Sequence, residues 1–344
     1  MINKKNIFII AEISANHNQD KDFVLETVKS IAKSGADAVK VQTYKPESLT
    51  LNMNTGYFRP RTNGIWKGKT SWDLYSKGSL PYEWHIEIQK LCKELDILFF
   101  SSPFDFEAVD FLETLNVPLY KVASLEITDL PLIEYIASKK KPIIISTGTA
   151  EVNDIHDAIN ICKNVGNKDI TLLKCTSDYP ADLQNANLKT LKDLKDRFNV
   201  KIGISDHTKG YIVPVTAVSF GISVIEKHFT LSKKIDSPDS SFSMDPDEFK
   251  LMVENVRKAE VAIGNISYHL SESDKLRRRS IFVISDIKKG DKFNFNNIRS
   301  IRPGHGISPR FFNDIIGKKS KINIKKGTPL SFEHIEDFSK KNKI

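Results

Sequence analysis

Short apolar runs alternate with helical patterns from residue 8 to residue 262, and this alternation constrains the fold more than any other feature. Each apolar run has the length of a buried strand, and each stretch between two runs has the spacing of an amphipathic helix. Consecutive parallel strands need a crossover connection, so about eight strand–helix units in succession predict a parallel sheet. Closure of that sheet gives a (β/α)8 TIM barrel, the α/β fold that we expect here.

The predicted strands and helices divide this part of the chain into regular units. The strands are predicted at residues 8–14, 38–43, 97–101, 118–124, 142–146, 170–174, 200–204 and 223–226. The helices are predicted at residues 23–33, 82–94, 106–115, 130–138, 152–164, 188–198, 213–220 and 246–262. A doubly wound open sheet is the alternative, but no Gly-x-Gly-x-x-Gly sequence follows the first strand. The long connection at residues 44–82 is predicted to be an ordered loop with a functional role.

The alternation stops after residue 265, which predicts a second domain. We assign residues 1–265 to the barrel and residues 266–280, which include three consecutive arginines, to an exposed linker. Residues 281–338 alternate short apolar stretches with turns, so we expect a small β-rich domain there. Residues 339–344 are expected to form a disordered basic tail.

Composition excludes several classes of protein. The chain has 344 residues with 51 Lys or Arg and 43 Asp or Glu, and the net charge of +8 is scattered along helical patterns. Because nucleic-acid binding needs clustered basic residues, we expect no nucleic-acid partner. The N-terminal apolar stretch is too short for a signal peptide or a membrane span. The three cysteines, Cys92, Cys162 and Cys175, lack Cys-x-x-Cys spacing, so we expect a reduced, cytoplasmic protein without disulfides.

Polar side chains follow every predicted strand, where a TIM barrel places its chemistry. They include Glu12, Ser14, Lys40, Gln42, Ser101, Ser102, Lys121, Ser124, Glu126, Ser146, Thr147, Lys174, Thr176, Ser177, Tyr179, Ser205, Asp206, His207, Glu226 and His228. A single Ser or Thr here could simply cap the next helix. Lys40 and Lys121 need another explanation, because two ammonium groups ringed by hydroxyls favour a phosphate or carboxylate ligand.

His207 and His228 follow neighbouring predicted strands, so both imidazoles are expected at the same end of the barrel. Two imidazoles with nearby carboxylates suit a divalent cation that polarises a carbonyl group. The alternative is two unrelated histidines, one capping a helix that begins near Thr208 and one packed in the core.

Several ordered motifs resemble those of the sialic acid synthase family. They are Ala-Glu-Ile-Ser-Ala-Asn-His-Asn at 11–18, Gly-Ala-Asp-Ala-Val-Lys-Val-Gln-Thr at 35–43, Lys-Val-Ala-Ser-x-Glu at 121–126, Ser-Thr-Gly at 146–148, Gly-Ile-Ser-Asp-His at 203–207 and Glu-Lys-His-Phe at 226–229. Residues 298–317, with Arg-Pro-Gly at 302–304, look like that family's C-terminal antifreeze-like (SAF) domain. The resemblance therefore covers nearly the whole chain.

Within the family, residues 44–50 and 64–85 look like the pseudaminic acid synthase branch. The resemblance implies that phosphoenolpyruvate condenses with an acylated amino sugar in its open aldehyde form, with addition of water and release of phosphate. For this branch it implies a 2,4-diacetamido-2,4,6-trideoxy-altrose acceptor and pseudaminic acid as the product. The alternative within the family is N-acetylneuraminate or legionaminate synthesis from another acylated amino sugar.

The resemblance also implies roles for individual residues. His207 and His228 match ligands of a divalent metal, Mn²⁺ or Mg²⁺, and Glu12 matches a carboxylate that handles a proton or water at the reacting carbon. The phosphoenolpyruvate pocket is matched by Lys40, Ser102, Lys121, Ser124, Ser146, Ser177 and Ser205. The acceptor side is matched by Gln42, Glu126, Tyr179 and Asp239. Arg302 matches an arginine that the SAF domain of one subunit in a homodimer places over the other subunit's sugar.

Two positions depart from the family pattern, and two other functions remain open. Ser102 replaces a common Thr and Ser177 a common Asn, although both keep a hydrogen-bonding side chain. Another class of enzyme would be a Schiff-base aldolase that uses Lys121 or Lys174 as its nucleophile. A carbohydrate-binding protein that uses the small β domain alone would leave the polar strand ends without a purpose.

Overall fold

Eight parallel strands close into a barrel in chain order, with the first strand paired to both the second and the eighth. The computed structural model describes residues 6–235 and 237–338, so the expected tail at residues 339–344 lies outside the described residues. The predicted TIM barrel is confirmed, and the open doubly wound sheet is wrong because the edge strands of such a sheet do not pair.

The strands of the barrel lie close to their predicted positions. They are β1 Phe8–Glu12, β2 Ala38–Thr43, β3 Leu98–Pro103, β4 Tyr120–Val122, β5 Ile143–Ser146, β6 Ile170–Cys175, β7 Lys201–Asp206 and β8 Val224–His228. The helices of this unit are α1 Lys21–Lys33, α2 Pro46–Leu49, α3 Ser71–Gly78, α4 Tyr82–Glu94, α5 Phe106–Thr114, α6 Leu130–Ser138, α7 Val152–Asn164, α8 Thr190–Phe198, α9 Ile212–Ala217 and α10 Pro246–Ile263. Helices α2 and α3 fall in the connection that the sequence predicts to be a loop.

Local signals explain where several helices begin. The side chain of Asp20 accepts a hydrogen bond from the backbone N–H of Phe23 and caps α1. Helix α10 begins with a capping box, in which Asp245 and Glu248 each accept a hydrogen bond from the other's backbone N–H. Such caps satisfy N–H groups that have no partner within the helix. They fix each helix start just beyond the loop that follows a barrel strand.

The barrel interior changes from apolar to polar along each strand. Its lower half is filled by a buried cluster of Phe8, Ile10, Ala38, Phe100, Leu119, Ile144, Leu173 and Val224. Because strand side chains alternate, the intervening residues face outward and pack against the helices in the main hydrophobic core. The inward positions nearer the strands' C-terminal ends carry charges and hydroxyls, so the apolar cluster forms a floor beneath them.

The described residues divide into two compact units, with the boundary between Gly264 and Asn265. In the second unit, β9 Ser280–Val283 pairs antiparallel with β10 Ile298–Ile301. Its helices are α11 Glu272–Leu276, within the segment predicted to be a linker, and α12 Phe312–Ile315. Residues including Ile281, Val283 and Phe293 form its separate hydrophobic core. Among the described residues, no helix has the length and apolarity needed to cross a membrane.

Gly203 on β7 is expected to tolerate no side chain. A Cβ atom there would lie 2.4 Å from the carbonyl oxygen of Val224 and 2.7 Å from a methyl group of Leu173. Gly203→Ala should therefore lower the free energy of unfolding by about 1–3 kcal/mol, because overpacking displaces strand backbone. Urea unfolding measures the loss. Ser219→Ala, at an exposed position, is the control and should change stability by less than about 0.5 kcal/mol; equal effects of the two substitutions would contradict this prediction.

Candidate active site

Four charged side chains meet inside the barrel above its apolar floor. They are Glu12, Lys40, Lys121 and Glu226, and they are 1%, 3%, 2% and 4% exposed. Strand alternation explains their direction, since each lies two residues beyond an inward apolar residue of its own strand. Isolated charges at such depth would be strongly unfavourable, so their mutual pairing is a condition for their burial.

The four groups alternate in sign. The Lys40 ammonium contacts Glu12 Oε2 and lies 3.7 Å from Glu226 Oε2, and the Lys121 ammonium lies 4.0 Å from Glu226 Oε1. The backbone N–H of Ser14 donates to Glu12 Oε1 over 2.8 Å, and Ser205 Oγ donates to Glu226 Oε1 over 3.0 Å. Two positive and two negative charges make the cluster formally neutral. We call these four residues the charged cluster.

The two carboxylates of the charged cluster differ in acidity. Burial raises the pKa of Glu12 to about 7, although Lys40 opposes the shift. Burial would also raise the pKa of Glu226, but Lys121 and Lys40 outweigh it and the net shift is downward. Glu226 therefore stays ionised at neutral pH, whereas Glu12 can gain or lose a proton there.

Glu226 is the residue of this cluster to which the sequence analysis gave no role. It appeared only among the polar strand ends, although it lies two residues before His228 on the same strand. That i, i+2 spacing was the available signal, because it places both side chains on the same face of β8.

Hydroxyl groups surround the charged cluster at the positions predicted for the anion pocket. Ser102 Oγ accepts a hydrogen bond of 3.3 Å from Lys40 Nζ, and Ser124 Oγ accepts one of 3.1 Å from the backbone N–H of Gly148. Ser177 Oγ lies 3.8 Å from Cys175 Sγ. The buried Ser146 Oγ has no hydrogen-bond partner among the described residues. A buried hydroxyl without a partner is expected where a polar ligand completes the site.

His207 and His228 lie at adjacent strand ends, and their ring centroids are 5.1 Å apart. His207 directly follows β7, and His228 is the last residue of β8. The alternative in which His207 caps a helix near Thr208 is wrong, since α9 begins only at Ile212. The two rings therefore lie edge to face at the same end of neighbouring strands, and a metal site there stays a prediction.

The two imidazoles differ in protonation. Burial opposes the charge of His207, but its contacts with Cys175 and with the carbonyl oxygen of Thr176 outweigh burial and raise its pKa. The Nδ1–H of His207 donates to the carbonyl oxygen of Thr176 over 3.0 Å, so Nε2 is the ring nitrogen that a metal ion could use once its proton is released. Burial, followed by the charge of His207, lowers the pKa of His228 well below its usual range, so its ring is neutral. His228 Nδ1 is buried without a hydrogen-bond partner in the described structure, and it lies 3.7 Å from Asp239 Oδ2.

A divalent ion fits this pair only with further ligands from water or substrate. In the described part of the chain, no group of three or more His, Cys, Asp or Glu side chains is arranged to hold a metal ion. Two imidazoles, of which His228 is neutral and has an unpartnered ring nitrogen, nevertheless supply the donor type that divalent transition metals prefer. An ion held this way keeps open positions, as catalytic metal sites do.

A cavity of about 450 Å³ opens from His228 toward the surface. It brings together the predicted site residues Gln42, Ser124, Glu126, Ser177, Tyr179, His228 and Asp239. Its size suits a small organic ligand. A larger cleft of about 890 Å³ lies at the opposite end of the strands and contains none of the predicted site residues.

The connection at residues 44–82, here called the wall segment, forms one side of this cavity. The indole N–H of Trp66 donates to the carbonyl oxygen of Pro238 over 3.1 Å, and the Trp66 ring lies 6.0 Å from the ring of Tyr179. The guanidinium of Arg61 lies 5.0 Å from the Trp66 ring. The wall segment therefore gives the cavity an aromatic side opposite the charged strand ends.

Two lysines that the sequence treats alike point in different directions. Lys121 faces the interior, whereas the ammonium of Lys174 donates to Thr176 Oγ1 over 2.6 Å and to the carbonyl oxygen of Asn185 over 3.1 Å. The inward positions of β6 belong to the residues on either side, Leu173 and Cys175, because strand side chains alternate. The proposed role of Lys174 as a barrel nucleophile is therefore wrong. Arg302 lies in the second unit, just after β10, and is exposed.

Comparison with known proteins relates both units to described families. The model of the NeuB family matches residues 27–268, and that of the SAF domain matches residues 278–336. The pseudaminic acid synthases of Helicobacter pylori and Campylobacter jejuni are 46% and 44% identical, each over 95% of this chain and 97% and 96% of their own. The N,N'-diacetyllegionaminic acid synthase of Legionella pneumophila is 39% identical over 96% of this chain and 94% of its own.

Solved structures agree with this assignment. The N-acetylneuraminic acid synthetase of Leptospira borgpetersenii, crystallised with citrate, has a TM-score of 0.70 and 28% identity. The match covers 79% of this chain and 90% of that protein.

Lys121→Met should weaken binding of inorganic phosphate by about tenfold or more, because a hydrogen bond to a charged group contributes about 1.5–3 kcal/mol. Isothermal titration calorimetry measures the affinity, and circular dichroism establishes that the variant is folded. Lys174→Met is the matched control, since its side chain faces away from the interior, and it should bind phosphate like the parent. Undiminished phosphate binding by folded Lys121→Met would refute the anion site.

Proposed function

This chain belongs to the NeuB family, and from that premise we propose that it catalyses the pseudaminic acid synthase reaction. Phosphoenolpyruvate condenses with 2,4-diacetamido-2,4,6-trideoxy-β-L-altropyranose, in its open aldehyde form, and with water. The products are pseudaminic acid and phosphate, so the enzyme is a transferase that forms a carbon–carbon bond. The observation that carries this proposal is the position of the charged cluster beside two adjacent imidazoles in one closed barrel.

The charged cluster and its hydroxyls suit phosphoenolpyruvate. Lys40 and Lys121 can each pair with a phosphate or carboxylate oxygen, and Ser146 offers an unused hydroxyl. The incoming negative charge would raise the pKa of Glu12 further, because like charges disfavour ionisation. Since that pKa is already about 7, Glu12 would hold a proton when phosphoenolpyruvate is bound.

The chemistry forms one carbon–carbon bond and one carbon–oxygen bond, the latter to water, and breaks the bond from C2 to the phosphate oxygen. C3 of phosphoenolpyruvate attacks the aldehyde carbon, the aldehyde oxygen gains a proton, and C2 becomes cationic. Water adds to C2 and gives up one proton, which balances the proton gained by the aldehyde oxygen, with Glu12 placed to direct the water and move protons at that carbon. The tetrahedral adduct then loses phosphate as the bond from C2 to the phosphate oxygen breaks, the hydroxyl proton leaves with the phosphate, and the ketone forms. Lys40 and Lys121 hold the departing phosphate.

We propose Mn²⁺ or Mg²⁺ as the metal held by His207 and His228. Such an ion, when bound, supplies Lewis-acid stabilisation of an oxyanion. The support is the neutral His228 ring and its unpartnered Nδ1. The protein's own part is to hold both imidazoles at adjacent strand ends, where His228 lines the acceptor cavity.

The cavity supports an acylated 6-deoxy sugar as acceptor. Gln42, Glu126, Tyr179 and Asp239 line it and can hydrogen-bond hydroxyl and acetamido groups. The aromatic wall segment suits a methyl group better than a hydroxymethyl group. N-acetylneuraminate or legionaminate synthesis is the alternative, favoured by the 39% identity to the Legionella enzyme. One substituent contributes only about 1–3 kcal/mol to such discrimination.

We also propose a cytoplasmic homodimer in which Arg302 of each chain reaches the partner's sugar. Arg302 is exposed and forms no ion pair within the described residues, so its guanidinium is available. The buried cysteines, Cys92, Cys162 and Cys175, are all free thiols, as expected in a reducing compartment.

Purified protein should release phosphate from phosphoenolpyruvate only when a suitable acceptor is present. We expect the highest kcat/KM with the 2,4-diacetamido-6-deoxy altrose derivative among a panel of acylated hexosamines, because the aromatic wall accommodates its methyl group. Colorimetric phosphate detection measures the rate, and mass spectrometry identifies the nonulosonate. Release with N-acetylmannosamine alone would overturn the proposed acceptor. Borohydride with pyruvate should leave activity intact; inactivation would support the Schiff-base aldolase instead.

Removal of divalent metal should abolish turnover, and Mn²⁺ should restore it. His228→Ala should bind Mn²⁺ at least about tenfold more weakly, since one of two protein ligands is lost. Electron paramagnetic resonance of free Mn²⁺ measures binding directly. His156→Ala is the control, because that side chain is 64% exposed and remote from the strand ends. Full activity after exhaustive chelation would disprove metal dependence.

A further inference from the structure

A second buried ion pair, Asp206 with Lys227, lies directly behind the two imidazoles. Asp206 is 6% exposed and Lys227 is 1% exposed. Neither residue faces the cavity, and neither has a role in the proposed reaction. Resting on that proposed function, we propose that this pair positions His207 and His228 and so sets the affinity of the site for its metal.

The position of the pair follows from strand register. Asp206 immediately precedes His207, and Lys227 immediately precedes His228. The Cα atoms of Asp206 and Lys227 are register partners between β7 and β8. Because strand side chains alternate, inward imidazoles require the residues before them to point outward. The ion pair therefore lies in the layer between barrel and helices, one residue from each imidazole.

The contacts of the pair hold the backbone on both sides of His207. Lys227 Nζ lies 2.5 Å from Asp206 Oδ2 and donates to the carbonyl oxygen of Thr208 over 2.6 Å. The backbone N–H and the hydroxyl of Thr208 donate to the Asp206 carboxylate over 3.0 and 3.1 Å. A single ammonium on β8 thus binds the residue before and the residue after His207.

Backbone hydrogen bonds also hold the main chain at the two histidines. The carbonyl oxygen of His207 accepts from Ala181 N over 3.0 Å, and that of His228 accepts from Met244 N over 2.9 Å. Because these bonds hold the main chain at both histidines, the distance between the two rings depends on the path of the main chain just after β7. The ion pair determines that path, because it bonds residues 206 and 208 to β8.

Stability alone does not explain a pair of this kind. Buried ion pairs are often no more stabilising than apolar residues of similar volume, since desolvation offsets the attraction. Their advantage is geometric, because a fully hydrogen-bonded pair permits one arrangement. Residues behind metal-binding histidines typically change metal affinity about 10–100-fold when removed. The same effect is expected here from a pair that is bonded to Thr208 and is joined to the two histidines only along the main chain.

The test replaces the pair by apolar residues and measures metal binding separately from folding. The double variant Asp206→Leu/Lys227→Met should still fold in the absence of metal, at a lower thermal unfolding temperature, because the buried Thr208 loses its hydrogen-bond partners. It should bind Mn²⁺ about 10–100-fold more weakly by titration followed by electron paramagnetic resonance. A folded double variant with Mn²⁺ affinity within about twofold of the parent would overturn the inference.

Further variants keep the test decisive if the double variant does not fold. Asp206→Asn preserves the shape and the acceptor for Thr208 but removes the charge, and it should weaken Mn²⁺ binding about tenfold. Unchanged affinity in folded Asp206→Asn would also overturn the inference.

Arg257→Met is the matched control. Arg257 pairs with Asp37 over 2.8 Å at the opposite end of the barrel, so its loss should reduce stability without changing Mn²⁺ affinity. Equal losses of Mn²⁺ affinity in Arg257→Met and the double variant would mean that both act by general destabilisation, and this too would overturn the inference. If the parent protein itself binds no Mn²⁺, the proposed metal function fails. If the parent binds Mn²⁺ and the double variant binds it with the same affinity, only the positioning role of the ion pair is overturned.

Discussion

The pairing of two buried ammonium groups with two buried carboxylates is the interaction on which the interior of this barrel depends. Glu12 and Glu226 lie beside Lys40 and Lys121 and favour their charged forms, which burial opposes. The net shift raises the pKa of Lys40 and lowers that of Lys121, where burial is the largest cause. Removing one partner would leave an uncompensated buried charge, which is among the costliest defects a fold can carry. The four formal charges balance one another, and in the proposed reaction an anion would become a further partner of the lysines. Glu12 is the member that can take up a proton when this happens.

Strand alternation gives β7 and β8 two functions at once. The inward residues at their ends are His207 and His228, of which His228 lines the cavity, and the outward residues directly before them form the Asp206–Lys227 pair. On each of these two strands, the histidine and the member of the ion pair are therefore consecutive residues. A shift of register by one residue would exchange the two sets, placing the ion pair in the cavity and the imidazoles against the helices. Register is therefore as important to this site as the identity of the side chains.

The cavity joins two surfaces of different chemistry. Its inner end carries polar side chains at strand ends, including Gln42, Ser177 and His228. Its outer side is aromatic, because the wall segment brings Trp66 against Tyr179 and bonds it to the carbonyl of Pro238. The proposed reaction needs both surfaces, since it joins a small anion to a larger uncharged sugar. The inner surface belongs to the barrel strands common to the fold, whereas the outer one belongs to a single connection.

The sequence by itself determined the barrel, because hydrophobic periodicity is a local property that can be recognised without knowing which segments pack together. It also indicated Lys40, Lys121 and both histidines, since charged or metal-binding residues at apolar strand ends are conspicuous. It missed helix α3, although Thr70 and Asp73 form a local capping box that could have revealed it. Only the tertiary structure decided that Lys174 faces outward, that Glu226 completes the charged cluster and that Asp206 meets Lys227. Those facts depend on the phase of each strand and on which residues become opposite one another across the sheet, and both are set by packing between segments distant in sequence.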